Sequence, residues 1–168
     1  MKFYPFSTKI DPFEAIRIND LKSLKKYLSK GGDVNQLDSD GRNLLINSII
    51  SFEPSSEMIL FLISSGASVD QQDKVSGWCS LHFAIQGNLE SIFEVLLQHS
   101  ENIDLTDAYG NSPLSTAVFS YRGDSGYFIQ RLLNAGANPD LSNNYGVSPR
   151  SLANSVANYD VSKFFNDN

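Results

Sequence analysis

Four glycines, Gly41, Gly77, Gly110 and Gly146, each open a similar block: GRNLLINS, GWCSLHFA, GNSPLSTA and GVSPRSLA. Their spacings of 36, 33 and 36 residues constrain the fold more than composition does. A unit of that length holds one helical hairpin, whose apolar faces find cover only against neighbouring units. A second marker precedes each block by ten or eleven residues: GGDVN at 31–35, GASVD at 66–70, SENID at 100–104 and GANPD at 136–140. Amphipathic runs lead into the last three markers, MILFLISSG, IFEVLLQHS and FIQRLLNAG. An earlier copy, DPFEAIRINDLKSLKKYLSKGG, has both helical halves but no glycine block ahead of it.

Inside each block the chemistry is that of a turn running into a helix. Asn43, Ser112 and Ser148 stand two residues after the glycine, where a short polar side chain caps a helix N-terminus. Pro113 and Pro149 follow at the first helical position, where a missing N–H costs nothing. Leu45, Leu81 and Leu114 begin a buried stripe, and Ser48, Ala84, Ala117 and Ala153 keep it thin. The second run supplies bulk: Ile59, Leu62 and Ile63; Ile92, Val95 and Leu96; Phe128, Leu132 and Leu133. Gly66 and Gly136 end it, as C-terminal glycines do. The expected fold is all-α, a solenoid of stacked helix-turn-helix units with short β-hairpin or finger loops.

In these blocks and markers the chain resembles the ankyrin repeat. That pattern runs roughly D-x-x-G-x-T-P-L-H-x-A, a turn, then a helix ending L-L-x-x-G-A-D-V-N. The resemblance covers about residues 11–168 and implies one domain, 1–168. Within it are an N-terminal capping unit (1–37), full repeats at 38–73, 74–107 and 108–143, and a C-terminal capping unit (144–168). Departures from the pattern carry expectations of their own. Ser100 replaces a marker glycine, and Arg150 stands where a core Leu belongs, so that its charge would reach water at the end of the stack. Leu44 and Ile46 replace Pro and His, leaving the first repeat's helix start less well specified. One extra residue in DKVSG, 73–77, is expected to bulge the finger between the first two repeats.

Composition, charge and cysteine content narrow the function. The 168 residues are 41% hydrophobic and 19% charged, which suits one soluble domain. No apolar run approaches the length of a membrane span. MKFYPFSTKI lacks the apolar segment of a secretory signal, and a single cysteine, Cys79, fits a reducing compartment. Together these place the chain in a cytoplasm, with export by a non-classical route left open. Residues 1–30 carry a balance of about +4, and residues 31–168 one of about −10. The acidic body either keeps the protein soluble or steers a basic partner. Nucleic acid is excluded as a direct ligand, because phosphate binding needs a basic face. Lys22, Lys25, Lys26 and Lys30 read as the wet face of one amphipathic helix.

No catalytic constellation emerges. Cys79 and His82 stand three apart at a helix start, a spacing that a thiolate–imidazole pair could use. The resemblance instead makes Cys79 the capping residue and His82 the structural histidine that bonds neighbouring loop backbone. His99 sits near a helix end, at most a partner of the helix dipole. No metal-ligand spacing and no phosphate loop occur. Asp38, Asp70, Asp73, Asp104 and Asp107 recur with the regularity of turn residues. The chain is therefore read as no enzyme, with no cofactor.

A binding role remains. The resemblance implies a concave face lined by fingers and first helices, with finger positions Ser39, Asp40 and Arg42; Val75, Ser76 and Trp78; Ala108, Tyr109 and Asn111; Asn144, Tyr145 and Val147. Lys74 belongs to the same finger as Trp78. Trp78, Tyr109 and Tyr145 would serve as rigid anchors. Extra length falls at the ends of two first helices, in SFEPSSE (51–57) and FSYRGDSGYF (119–128), and insertions in repeats often mark a binding side. Phe52, Glu53, Phe119, Tyr121, Arg122 and Tyr127 are the candidates there. The alternative is a tolerated loop whose aromatic rings tuck back on their own helices. The expected partner is a protein with a basic surface, bound by a chain that is monomeric when free. Small acidic chains with a few divergent ankyrin repeats look similar to bacterial immunity proteins, which occlude the active site of a cognate toxin. A general scaffold, adaptor or effector is the alternative, as is a self-associating protein whose basic first helices meet the acidic body of another copy.

Overall fold

Helices start where the sequence supplies a cap. The structure, a computed structural model, describes residues 11–156 and 159–166; the opening MKFYPFSTKI, read above for a leader segment, lies outside the described residues. Asp11 caps α1 (Pro12–Arg17), and Asp20 caps α2 (Leu21–Ser29). Asn43 caps α3 (Leu44–Ile49), its Oδ1 accepting from the Ile46 N–H at 2.9 Å. Ser55 caps α4 (Ser56–Ser64). Cys79 precedes α5 (Ser80–Gln86), and α6 spans Glu90–His99. Ser112 and Ser148 cap α7 (Pro113–Ser120) and α9 (Pro149–Ser155), both with Pro at the first position. Between them lies α8 (Tyr127–Asn134), and a short 3-10 turn follows at Ser162–Phe164. Among the described residues all regular structure is helical; the fingers are turns without strand.

The first helices form one row, α1–α3–α5–α7–α9, each packed on the next. Each of α2, α4, α6 and α8 folds back on the first helix before it, so the core lies between the two rows. Leu45, Leu81 and Leu114 are wholly buried, and Ser48, Ala84, Ala117 and Ala153 are buried beside them. From the second row Ile59, Leu62, Ile92, Leu96 and Leu132 close the core, with Ile63, Leu133 and Phe128 half-buried against it.

Two sets of hydrogen bonds join neighbouring units. One runs between fingers: Lys74 N–H to Asp40 O (2.7 Å), Ala108 N–H to Ser76 O (2.9 Å) and Asn144 N–H to Tyr109 O (3.0 Å). Gly110, at φ +83, makes such a joint possible, since a Cβ there would lie 2.8 Å from the Asn144 nitrogen. The other set uses the marker residues. Asn35 accepts from Ser68 N–H and donates to Gly66 O. Asp70 accepts from the Ser100 hydroxyl at 2.7 Å and from the N–H groups of Glu101 and Asn102. Asp104 accepts from Asn138 N–H. Ser100 thus replaces glycine with a hydroxyl that bonds the previous repeat, and its backbone is extended instead of left-handed.

The other departures resolve as follows. The extra residue widens the second finger: Asp73 N–H reaches Trp78 O, five positions on, where Asp38, Asp107 and Asn143 each reach the fourth. The first repeat's helix start is better specified than its sequence suggested. Leu44 and Ile46 are wholly buried, and Asn43 both caps the helix and donates to Ser68 O at 2.8 Å. Arg150 does not simply reach water. Its guanidinium bonds Asp140 and the Phe165 carbonyl, and lies over the Phe165 ring.

Candidate protein-binding face

The first helices run from the fingers, at their N-termini, to an opposite edge where the connections to the second helices lie. The candidate contacts divide between those two edges. At the finger edge Tyr109 and Tyr145 are 58% and 73% exposed, and Val75, at the second finger tip, is 70% exposed. Lys74 is exposed, with its methylenes lying over Gly41.

The remaining finger candidates are committed to joints between repeats. The Arg42 guanidinium pairs with Asp40 at 3.2 Å and with the buried carboxylate of Asp73 at 3.3 Å, over the Phe83 ring. Asp73 also accepts from Ser76 and from Trp78 N–H. Burial pushes its carboxyl up, yet these donors and Arg42 hold it below the usual aspartate value. Asn111 donates to Asp107 and accepts from Asn143. Trp78 is half-buried, stacked on His82 and edge-on to Phe83.

His82 and Cys79 build a helix cap. The Cys79 N–H donates to His82 Nδ1, which also lies 3.1 Å from Cys79 Sγ, so Nδ1 is the accepting nitrogen. Nε2 then carries the proton and donates to the Asn111 carbonyl at 3.1 Å, tying the second repeat to the third finger. Burial pushes the Cys79 thiol up to about 11 and the His82 imidazole below its usual value. A thiol held protonated in the core is a packing group, since the thiolate is the nucleophile. Among the described residues no group of three or more His, Cys, Asp or Glu is placed to hold a metal ion. Nor is any helix there long and apolar enough to cross a membrane.

At the opposite edge, Phe52 is 98% exposed and Phe119 71% exposed. Glu53 and Arg122 are exposed, and Arg122 donates to the carbonyls of Phe119 and Tyr121. Tyr121, expected as a displayed contact, is buried at 5%. Its ring packs edge-on against Tyr159 and Phe164, and its hydroxyl donates to Asp124 O. Tyr127 is half-buried on α8, where it and Arg131 bond Glu94 of α6. Arg131 and Tyr127 accordingly hold the Glu94 carboxyl below its usual value. Ile50, 41% exposed beside Phe52, carries no mark in the repeat pattern, and the aromatic covering of Tyr121 shows in the sequence only as Tyr159 and Phe164 beyond the last block.

This architecture defines a helical repeat protein whose repeats present a continuous edge. A family model of ankyrin repeats, in three copies, matches residues 13–107 and 48–143. The chain belongs to the ankyrin-repeat family, whose repeats are protein-interaction modules and generally not catalytic. It is similar to an ankyrin repeat protein of Fowlpox virus (strain NVSL), FPV031, at 28% identity over 62% of this chain and 30% of that protein. It is also similar to glycerophosphocholine phosphodiesterase GDE1 of Candida albicans, 28% identical over 61% of this chain and 9% of that protein. The 2-5A-dependent ribonuclease of Homo sapiens is 33% identical over 38% of this chain and 9% of its own length. The chain spans less than a third of the length of each of these relatives.

Proposed function

We propose that the chain is a non-catalytic binding module that engages a partner protein through the face built by its fingers and first helices. One observation carries this reading: a frame stitched at every joint leaves Val75, Tyr109, Tyr145, Phe52 and Phe119 in water. A preformed frame loses little entropy on association, and exposed aromatic rings supply anchors. Asp40, Glu53, Lys74 and Arg122 border those anchors, together with Arg42, Trp78, Asn111 and Tyr127, whose side chains also bond or stack within the repeat frame. The balance of about −10 over residues 31–168 supports a partner with a basic surface, recruited by charge complementarity. The most specific form is an immunity-type protein, monomeric in a cytoplasm until it occludes the active site of a cognate toxin. A second form is an adaptor segment, favoured by relatives in which the matched part is a fraction of a longer protein.

A photo-crosslinking residue placed at Tyr145 or Phe119 is expected to capture the partner. The same residue at Leu60 or Gln98, exposed on the second helices, is expected to capture none. Capture from the second-helix pair alone overturns the assignment of the face. A captured partner that keeps full enzymatic activity in the complex overturns the neutralising form and leaves the binding module standing.

A further inference from the structure

The connections between first and second helices are unequal. They span residues 50–55 and 121–126 in the first and third repeats, and only 87–89 in the middle one. The short connection turns through Asn88, held in the left-handed region at φ 52, which Asn tolerates better than most residues. Two long connections therefore flank a short one. Hollows of about 360 and 350 Å³ lie at this step. Ile50, Phe52, Pro54, Phe83 and Leu89 line the first; Ile85, Ala117, Phe119 and Phe128 line the second, with Arg122 and Asp124 at its polar side. Gln86 lines both, so the two adjoin as one trough. Phe52 stands nearly free at one side and Phe119 at the other, and exposed apolar surface of this kind rimmed by polar residues marks a contact site.

The surrounding charge has one dominant sign. The connections and the first turns after them carry Glu53, Glu57, Glu90 and Asp124, all exposed, against Arg122 and against Lys163, whose ammonium lies 5.9 Å from the centre of the Tyr121 ring. The guanidinium of Arg122 is already turned onto two backbone carbonyls.

We propose that this trough takes a basic segment of a partner protein, with Lys or Arg side chains flanking two bulky apolar residues, one for each hollow. The proposal rests on the protein-binding reading above and names the chemistry that the far edge selects. Apolar anchors displace loosely held water from the hollows, while carboxylates at the rim set the sign of the flanking charges. A glutamate-flanked segment of the same apolar content meets an excess of like charge and is disfavoured.

The test is a titration of isotope-labelled full chain, followed by backbone amide NMR, with three synthetic peptides of equal length. One carries two tryptophans flanked by lysines, one carries the same tryptophans flanked by glutamates, and one carries lysines with alanines instead. The first alone is expected to shift amides of residues 49–54, 86–90 and 117–124. Phe52→Ala with Phe119→Ala is expected to weaken it by about tenfold or more with an unchanged melting temperature. Glu53→Gln with Glu57→Gln should flatten the salt dependence of its binding. Equal binding of the glutamate or alanine peptide, or no shift at these amides with any peptide, overturns the proposal. Shifts confined to the finger residues Tyr109 and Tyr145 overturn the trough and leave the binding module intact. Concentration-dependent shifts at the trough without peptide name a second copy as occupant and also overturn it.

Discussion

The connections at 50–55 and 121–126 occupy the same place in their repeats, yet one displays its aromatic residue and the other buries it. Phe52 stands in water, and Tyr121 lies under Tyr159 and Phe164. Neither outcome follows from the connection's own residues. The first connection adjoins a repeat whose corresponding link is too short to reach over it. The second adjoins the segment 159–166, which folds back across it. Gly126, left-handed at φ +67 and the residue ahead of α8, lies directly beneath the Phe164 ring, where any side chain would collide. In a stacked array the neighbour decides whether an insertion becomes core or contact. Burial of one large side chain is worth about 2 kcal/mol, enough to pull an aromatic ring inward wherever a surface is at hand.

That contrast can be broken by substitution. The largest effect belongs to the helix that precedes the second insertion: Leu114→Ala, at a wholly buried site, is expected to cost about 4 kcal/mol in chemical denaturation. An unaltered denaturation curve would remove Leu114 from the core. Tyr121→Ala is expected to cost about 2–3 kcal/mol and to loosen the packing of Phe164, visible as sharpened ring signals by NMR. A cost indistinguishable from zero would return Tyr121 to the surface and erase the difference between the insertions.

The repeat between them should govern acid sensitivity. Burial holds the His82 imidazole below its usual value, against the raising effect of its bond to the Asn111 carbonyl. The unfolded chain therefore takes up a proton first, and stability falls as pH drops below the ordinary imidazole range. Asp73, held low, adds a further loss as pH falls through its folded value. Melting temperatures measured from neutral to mildly acid pH should decline, and a flat profile would contradict the neutral, buried imidazole. The smallest expected effect is that of Phe52→Ala, within about 0.5 kcal/mol of wild-type stability. A loss as large as that of Tyr121→Ala would show that Phe52 is covered.

Most of the frame was legible because it depends on short-range chemistry. Asn43, Ser112 and Ser148 cap helices from two residues beyond a turn glycine, and the offset in DKVSG gives a wider finger, as the count of residues implied. What escaped depends on partners a repeat or more away. Arg42 is also the counterion of Asp73, and Asn111 also bonds Asp107, Asn143 and His82, joints that the sequence did not show. Arg150 and Tyr121 are both claimed by the last described residues, whose sequence shows no repeat pattern to place them. Phe52 and Phe119 looked alike in the sequence to Tyr121, and only the stack separates them.

The hydrogen bonds between units have a kinetic consequence. The side-chain bonds that tie His82 to Asn111 and Glu94 to Arg131 close stretches of 29 and 37 residues. Closing a loop costs entropy that grows with its length, so each joint forms at a cost set by one repeat and not by the whole chain. A fold assembled from such near encounters belongs among fast folders. It can begin at any joint and spread in either direction, so a chain broken open at one seam need only re-close that seam.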